Sequence, residues 1–204
     1  MEQESVEAEK RVVKILGIGG SGKNVLEELM KQGSNLELVA INTDKESLDK
    51  STIKTKIVIG SKACLGKGAN RNFVLGEEAA RESAEEIKEI LKDAKAVILV
   101  AGMCGGTGNG STPVILDIAL ALGIPSTCVA FMPLKFEGEQ CSQRAVVGVQ
   151  KLKKSAVAVV EFSLQQILEK HDKNTNFAVL MDAANQEAAE LIKITAMSYQ
   201  KEYR

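Results

Sequence analysis

Short apolar segments alternate with amphipathic ones along most of the chain. Six of the apolar segments are VVKILGI (12–18), LELVAIN (36–42), KIVIG (56–60), AVILVAG (96–102), STCVAFM (126–132) and AVAVVEF (156–162). Apolar runs of this length, rich in Val and Ile, are typical of parallel strands covered by helices on both faces. The segments between them are amphipathic, most clearly at 74–92, where apolar residues recur at helical spacing. The pattern predicts an α/β fold, a doubly wound and mostly parallel sheet flanked by helices.

Charge and composition exclude several classes of partner. The 204 residues contain 26 Lys and Arg against 27 Asp and Glu, for a formal net charge of -1. This even balance provides no overall field that attracts nucleic acid or an anionic membrane. The amino terminus is polar and acidic, and no run reaches the roughly 18 apolar residues of a membrane helix. We therefore expect a cytoplasmic protein with no nucleic-acid partner and no membrane segment.

The four cysteines, Cys64, Cys104, Cys128 and Cys141, are far apart in the sequence and form no CxxC pair. This spacing indicates neither a zinc site nor a redox dithiol. We expect buried or neutral free thiols in a reducing cytosol.

A glycine-rich segment, GIGGSGKN, follows the first predicted strand and opens an amphipathic segment. It fits GxGxxG through Gly17, Gly19 and Gly22, and it fits GxxxxGK as far as Lys23. A Walker A loop would continue with Ser or Thr, and this chain has Asn24. A glycine turn between strand and helix offers free backbone N–H groups and a helix dipole to an anion. Taken alone, the segment leaves open a dinucleotide site, a phosphate loop or a turn that binds nothing.

A second glycine-rich segment follows the fourth predicted strand, where AVILVAG continues into MCGGTGNGSTP. Its glycines are Gly102, Gly105, Gly106, Gly108 and Gly110, and Thr107 supplies a hydroxyl among them. Two such turns in one sheet are hard to explain as turns alone. Because ligands bind where the strands of a doubly wound sheet end, we expect the two helix amino termini to converge on one crevice. Two converging termini suit a polyphosphate better than a single phosphate.

Two further polar loops follow the second and third predicted strands. AINTDKES contains Asp44, which lies about 20 residues past the first glycine loop, where a dinucleotide fold keeps the acid that binds ribose. SKACLGKGANRN contains Gly66 and Gly68, whose backbones can approach a ligand closely. Four polar or glycine-rich loops at consecutive strand ends describe a nucleotide pocket.

Five segments together carry a family resemblance. GIGGSGKN, AINTD, LGKGANRN, AGMCGGTGNGSTPV and FMPLKFEG, in this order and spacing, resemble the nucleotide-binding domain of the FtsZ/tubulin family, nearer to FtsZ than to tubulin. The decisive motif is GGTGNG, which is similar to the family signature GGGTGTG or GGGTGSG. The polar amino terminus predicts a mobile tail at 1–10. The resemblance implies a GTP-binding domain at 11–176 and, at 177–204, a helix like the family's central helix packed on that domain.

The resemblance also implies the residues that meet GTP or GDP. The first loop contributes Gly19, Gly20, Ser21, Gly22 and Asn24, and the main phosphate cradle contains Gly102, Gly105, Gly106, Thr107, Gly108, Asn109 and Gly110. Asn42, Thr43, Asp44, Gly68, Ala69 and Asn70 surround the γ-phosphate and the water shell of its magnesium. Pro133 and Glu137 approach the ribose, and Asn185 matches the position that hydrogen-bonds guanine. Mg²⁺ is bound mainly through the phosphates, with no direct protein ligand.

Three residues depart from the family pattern. Lys23 stands where FtsZ has another glycine, and it either adds a charge beside the phosphates or is a solvated lysine at a helix start. Glu46 stands where the family usually has Gln, and it either points to solvent or adds a metal ligand. Cys141 occupies the position of an Arg that follows FEG in FtsZ, so one donor to the nucleotide is lost. We expect a lower nucleotide affinity than that of the family.

FtsZ and tubulin continue past the central helix into a second domain, and the joining loop carries acidic residues that complete the GTPase site of the next subunit in a filament. The sequence stops at SYQKEYR, without that loop. Hydrolysis needs a positioned water and stabilised charge, so we expect weak or absent intrinsic GTPase activity. The catalytic residues are unknown, and Asp44 and Glu46 are the local carboxylates to test. The implied setting is cell division or a cytoskeleton, with the chain itself or a full-length FtsZ-like protein as partner.

Two other classes of function stay open. An NAD(P)-binding Rossmann oxidoreductase or binding module explains GxGxxG and Asp44 but not the second glycine loop. It also lacks an obvious catalytic set, since the only histidine, His171, lies in a polar stretch that suits a solvated side chain. A P-loop NTPase explains GxxxxGK, but Asn24 is a poor replacement for the metal-binding hydroxyl.

Overall fold

The computed structural model describes residues 12–172 and 175–202, in which strands and helices alternate. The strands are β1 (Val12–Ile18), β2 (Glu37–Asn42), β3 (Thr55–Val58), β4 (Ala94–Gly102), β5 (Ser126–Met132) and β6 (Ala158–Ser163). The α-helices are α1 (Gly19–Lys31), α2 (Lys45–Asp49), α3 (Phe73–Glu82), α4 (Ala84–Leu91), α5 (Gly106–Ala121), α6 (Glu139–Leu152), α7 (Leu164–Lys170) and α8 (Phe177–Glu202). A 3-10 turn spans Lys135–Glu137. Each of the six apolar segments overlaps one of these strands, as predicted.

The described strands form one parallel sheet in the order β3-β2-β1-β4-β5-β6. The chain builds outward from β1 to β3, returns past β1 to β4, and then builds outward to β6. Strands β1 and β4 are therefore neighbours, paired from Val12 with Ala94 to Ile18 with Ala101. The loops that follow these two strands lie at the switch point of the sheet, where doubly wound folds bind their ligands. The predicted fold class is confirmed.

Each face of the sheet has its own hydrophobic core, because successive strand side chains point to opposite faces. On one face, Ile15 of β1 clusters with Val25 of α1 and Ala188 of α8. On the other face, Leu16 clusters with residues of α3, α4, α5 and α6, including Ile115. Helices α1 and α5 thus leave the switch point toward opposite faces, while their amino termini stay side by side.

One charged residue, Lys14, is buried within β1 with 4% of its surface exposed. Its Nζ donates to Asp93 Oδ1 at 2.5 Å and to the carbonyl oxygen of Ile90 at 2.7 Å, and it lies 3.0 Å from Glu37 Oε1. Burial opposes the charge on Lys14, but the two carboxylates outweigh that cost and raise the pKa of Lys14. The hydrogen bond from Lys14 in turn lowers the pKa of Asp93. This cluster ties β1 to β2 and to the turn before β4.

The helix predicted at 74–92 is interrupted. It forms α3 and α4, which meet at Ser83, whose backbone has φ −97° and ψ 20°. The Ser83 hydroxyl oxygen accepts a hydrogen bond at 3.1 Å from the backbone N–H of Gly60. Serine readily bonds to nearby backbone in place of continuing a helix, and the apolar spacing did not reveal this break.

Helix α8 lies where the sequence predicts a helix at 177–204, within the described residues. Leu180, Ala184 and Ala188 are buried against the sheet, whereas Phe177 is 56% exposed. The outer face carries exposed apolar side chains, namely Val179, Ile194 and Met197. The tail expected at 1–10 lies outside the described residues. Within the described chain, no helix combines the length and apolar character needed to cross a bilayer.

Candidate functional site

Two helices begin at the switch point without a side-chain cap. Helix α1 begins at Gly19, directly after β1, and α5 begins at Gly106 after the N-cap Gly105. Within the described residues, no side chain accepts from the first backbone N–H groups of either helix. In contrast, Asp44 caps α2 and Asn72 caps α3. The first N–H groups of α1 and α5 are therefore available to an anion, which the helix dipoles also favour.

The two glycine turns approach each other closely. A Cβ added at Gly19 would lie 3.5 Å from the backbone nitrogen of Gly108 and 3.5 Å from Cβ of Thr107. Gly19 also has φ +70°, a conformation that glycine adopts easily. A Cβ at Gly102 would lie 2.6 Å from Ser21 Oγ, which only an absent side chain allows. The two loops thus form one continuous cradle, as the sequence predicted.

The loop after β2 joins this cradle through a hydroxyl pair. Oγ1 of Thr43 and Oγ1 of Thr107 are 2.7 Å apart, and both residues are buried. Asn42, also buried, accepts a hydrogen bond from the backbone N–H of Asp44 at 3.3 Å. The carboxylate of Asp44 accepts from the backbone N–H of Ser47 at 3.0 Å, so it caps α2. Thr43 and Asp44 are therefore held at the edge of the cradle by the start of α2.

The loop after β3 covers the same edge. The backbone N–H of Gly68 donates to the carbonyl of Thr43 at 3.1 Å, and that of Lys45 donates to the carbonyl of Gly66 at 3.0 Å. A Cβ at Gly106 would lie 2.8 Å from the carbonyl oxygen of Ala69. Three non-glycine residues of this loop have positive φ, namely Leu65, Asn70 and Arg71. The loop is thus folded tightly against both the cradle and α2.

A cavity of about 200 Å³ opens beside the cradle. It is lined by Ser21, Arg71, Gly102, Met103, Cys104, Gly105, Phe131, Pro133, Glu137 and Leu164. Pro133 and Glu137, the residues expected near a ribose, are among the lining residues, and we call their side of the cavity the ribose wall. The carboxylate of Glu137 accepts a hydrogen bond from the backbone N–H of Leu134 at 3.0 Å. The sequence did not single out Arg71 or Leu164. Arg71 could have been predicted, because it is a basic residue inside the glycine-rich segment LGKGANRN. Leu164 follows β6 and belongs to no motif that would have indicated a role in the site.

Several expected site residues point elsewhere or serve packing. Asn109 donates to the carbonyl oxygens of Met103 at 2.6 Å and Arg144 at 3.0 Å, so its amide fixes α6 to the turn. A Cβ at Gly110 would lie 2.7 Å from the backbone nitrogen of Glu77, which makes Gly110 a contact between α3 and α5.

Asn24 is exposed on α1 and Asn185 is buried on α8. Neither residue is among those lining the cavity within the described chain.

The two charged departures from the family pattern are directed away from the cavity. Nζ of Lys23 lies 3.8 Å from Oε1 of Glu27, one turn along α1. Oε1 of Glu46 lies 2.6 Å from Nζ of Lys50 on α2, and both side chains are exposed. Of the alternatives left open by the sequence, the geometry favours a solvent-facing carboxylate at Glu46. Lys23 fits neither of its alternatives, since it is not among the described residues that line the cavity and its side chain, beside Glu27, is only 16% exposed. His171 bonds through Nδ1 to the carbonyl of Ile167 at 2.8 Å, which accounts for it without catalysis.

The expectation of four free thiols is wrong for two cysteines. Cys104 and Cys141 form a disulfide whose Cα atoms are 5.3 Å apart, although the residues are separated by 37 positions. Spacing along the chain could not show this pair, because the fold brings the cradle turn against α6. Cys64 and Cys128 are free and buried, as expected, and burial raises the pKa of Cys128 to about 12.

The site therefore combines two uncapped helix amino termini, a buried hydroxyl pair and the basic side chain of Arg71. These are donors, and donors suit an anion with several oxygen atoms. The cradle itself is built from glycine backbone, which a side chain would fill. This donor set fits a polyphosphate, and a divalent cation would be held by the polyphosphate's own oxygens.

Comparison with known proteins agrees with this geometry. The family model described as the tubulin/FtsZ family GTPase domain matches residues 12–193. The chain belongs to the tubulin/FtsZ family. This membership gives no support to the oxidoreductase alternative, and it confirms the family expected from the five sequence segments.

Individual relatives agree with the family model. The chain is 40% identical over 158 residues to the cell division protein FtsZ of Aquifex aeolicus, covering 77% of this chain and 43% of that protein. The solved structure of an empty FtsZ dimer from M. jannaschii matches with a TM-score of 0.86 at 33% identity, covering 92% of this chain and 55% of the other. CetZ2 from Haloferax volcanii shares the fold, with a TM-score of 0.81 at 21% identity, covering 91% and 58%. The chain spans about half the length of these relatives.

Proposed function

We propose that this tubulin/FtsZ-family chain binds GTP and GDP in the crevice between α1 and α5, as part of a cell-division or cytoskeletal system in the cytoplasm. The observation that carries the proposal is the pair of uncapped glycine turns at the switch point, joined by the Thr43–Thr107 contact of 2.7 Å. Several N–H groups can bind phosphate oxygens there without any side chain having to move. Mg²⁺ would be held mainly through the phosphates.

The proposed contacts divide along the nucleotide. The phosphates meet Gly19, Gly20, Ser21, Gly22, Gly102, Gly105, Gly106, Thr107 and Gly108, and the γ-phosphate lies toward Asn42, Thr43, Asp44, Gly68, Ala69 and Asn70. Arg71 adds the only formal positive charge among the described residues that line the cavity. Pro133 and Glu137 form the ribose side. Asn24, exposed, remains assigned to the nucleoside side, and Asn185, buried on α8, to guanine.

We propose that a single chain hydrolyses GTP slowly. Hydrolysis needs a group that orients water in line with the leaving phosphate. The two local candidates are engaged elsewhere, since Asp44 caps α2 and Glu46 is paired with Lys50. Phosphate release from GTP by the purified chain should be at least about a hundredfold slower than the 1–100 per second of efficient phosphoryl-transfer enzymes. Fast turnover that persists on dilution would contradict this part of the proposal.

A competition assay tests the nucleotide class. A fluorescent GDP analogue is bound to the full chain with Mg²⁺, and GTP, GDP, ATP and NADH are added separately. We expect GTP and GDP to displace the analogue at far lower concentrations than ATP or NADH. Displacement by NADH alone would support a dinucleotide site, and equal displacement by ATP and GTP would remove the guanine assignment while leaving the phosphate cradle.

The rim of the crevice suggests the partner. Large apolar side chains are exposed here, namely Leu65 in the loop after β3 at 70% exposure, Phe136 in the 3-10 turn at 68% and Phe177 at the start of α8 at 56%. Rings of Phe136 and Phe177 lie 6.3 Å apart between centroids, so they form one exposed apolar patch. We propose that this rim meets another subunit, either a second copy or a full-length FtsZ-like protein. Sedimentation with such a protein, with and without GTP, should show co-pelleting or a change in polymer mass, and neither effect would appear if the rim has no such partner.

A further inference from the structure

The disulfide between Cys104 and Cys141 joins two walls of the crevice. Cys104 lines the cavity and immediately precedes Gly105, the N-cap of α5. Cys141 lies in the first turn of α6, and its Sγ is 4.0 Å from Oε2 of Glu137 on the ribose wall. A single covalent bond therefore links the phosphate cradle to the wall proposed to hold the sugar.

Both cysteines stand at positions where the family pattern has another residue. In CGGTGNG, Cys104 takes the place of the first glycine of the signature GGGTGTG, and Cys141 takes the place of an Arg. Two changes that are 37 positions apart thus meet at one contact. The Cα separation of 5.3 Å lies inside the range that a disulfide requires, so the backbone already brings the two thiols together.

We propose that Cys104 and Cys141 are a reversible redox pair whose disulfide fixes the phosphate cradle against α6 and slows nucleotide release. The inference rests on the proposed function, since it assigns a regulation to the same crevice. It goes beyond that function because binding of GTP or GDP needs neither thiol.

The exposure of the two cysteines determines which thiol reacts first when the disulfide forms. Cys104 is partly exposed in the cavity, whereas Cys141 is 6% exposed. The Cys104 thiolate attacks one sulfur of a small disulfide such as glutathione disulfide, and the first glutathione thiolate leaves. The Cys141 thiolate then attacks Sγ of Cys104 and displaces the second glutathione. The protein loses two electrons and two protons, and the oxidant becomes two thiols.

The geometry explains the direction of the effect. Reduction replaces a bond of about 2 Å by a non-bonded contact of roughly 3.5–4 Å, so the two sulfurs must move apart by roughly 1.5–2 Å. Cys104 lies two residues before the first residue of α5, so this movement loosens the N–H groups of the cradle relative to the ribose wall. A cradle that is held in its binding geometry loses less entropy on binding and releases its ligand more slowly.

Thiol counting provides the first part of the test. The full chain is equilibrated in glutathione buffers, alkylated and digested, and the Cys104–Cys141 peptide pair is measured by mass. We expect the pair to form reversibly in the wild type and in Cys128→Ala, which keeps both partners, and to be absent from Cys104→Ser and Cys141→Ser. A chain that never forms the pair overturns the inference. Stoichiometric Zn²⁺ binding to the reduced chain, lost in both serine variants, would also overturn it by assigning Cys104, Cys141 and Glu137 to a metal.

Release of a fluorescent GDP analogue provides the second part. Oxidised wild type should release it about tenfold more slowly than reduced wild type, a coupling of ordinary size between linked sites. Both serine variants should release it at one rate in either buffer. Because coupling between equilibria is reciprocal, saturating GDP should make the disulfide harder to reduce by the factor by which oxidation raises the equilibrium affinity for GDP. Equal release rates with the disulfide confirmed would overturn the inference alone, whereas a chain that binds no nucleotide in either state would overturn the proposed function as well.

Discussion

At the scale of single residues, the crevice is formed by glycines, which have no side chain, and by one buried contact between two threonine hydroxyls. Gly106 is an instructive case, because an added Cβ would lie 2.7 Å from the backbone nitrogen of Asn72 and 2.8 Å from the carbonyl oxygen of Ala69. Both atoms are backbone and cannot rotate away. Gly20, in the first turn of α1, has nothing within 4 Å of an added Cβ. The backbone at Gly106 therefore leaves no space for a side chain, whereas the backbone at Gly20 does.

Alanine substitutions at Gly106 and at Gly20 test this difference in available space. We expect Gly106→Ala to lower the free energy of unfolding by about 1–3 kcal/mol, the usual cost of overpacking. Gly20→Ala should leave that free energy unchanged or raise it by roughly 0.5–1 kcal/mol, because alanine favours a helix more than glycine does. Urea unfolding of both variants measures the difference. Equal stabilities would mean that the loop at Ala69 yields easily.

The hydroxyl pair gives a second residue-scale prediction. Thr107→Val leaves the buried Thr43 hydroxyl without its partner at 2.7 Å, so we expect a loss of about 1–3 kcal/mol in stability and at least a tenfold loss in GDP affinity. Thr127→Val is a matched control, because Thr127 shares a buried hydroxyl contact of 2.7 Å with Tyr199 outside the crevice. It should lose similar stability but keep its GDP affinity. If GDP affinity fell equally in both variants, the effect at Thr107 would be due to lower stability and not to a lost contact in the crevice.

At the scale of elements, the position of β1 in the sheet is fixed by the charged cluster around Lys14. Lys14 brings a charge into the buried strand β1, and that charge is tolerated because Asp93 and Glu37 come from the two neighbouring segments. The cluster therefore specifies which strands flank β1, the same arrangement that creates the switch point. An apolar residue in place of Lys14 would pack in β1 without requiring particular charged residues on the neighbouring segments.

Asp93→Asn tests this cluster. At pH 7 the variant should be less stable than wild type by about 1 kcal/mol, a modest value because the Asp93 side chain is 41% exposed. Since Lys14 lowers the pKa of Asp93, the carboxylate contributes stability above its unfolded pKa and loses it as the pH falls through the lower, folded pKa. The difference between variant and wild type should therefore shrink below about pH 4. Urea unfolding at several pH values measures it, and a constant difference would contradict the assignment.

At the scale of the whole molecule, apolar segments were sufficient to predict the strands, since a parallel strand buried on both faces needs an unbroken apolar run. The glycine turns were equally predictable, because Gly19 has φ +70°, a backbone conformation that residues with a side chain rarely adopt. The break at Ser83 and the Cys104–Cys141 pair were not, since both depend on partners that are distant in the sequence. Arg71 and Leu164 were missed for the same reason, as the residues lining the cavity come from the ends of five different strands or from the segments that follow them.

Ligand binding should stabilise the molecule as a whole. With Mg²⁺ and GDP at a hundred times the dissociation constant, the free energy of unfolding should rise by about 2.7 kcal/mol. ATP at the same concentration should give a much smaller rise. Thermal unfolding monitored by circular dichroism measures both, and a rise with ATP equal to that with GDP would contradict guanine selectivity.

Amide hydrogen exchange resolved by residue, with and without GDP, tests the two-turn cradle most directly. The N–H groups of Gly19 to Gly22 and of Gly105 to Gly108 should both exchange more slowly when GDP is bound, because each set donates to phosphate oxygens. The start of α4, which also lacks a side-chain cap but lies outside the crevice, should be unaffected. Protection of only one turn, or of neither, would contradict a phosphate cradle built from α1 and α5 together.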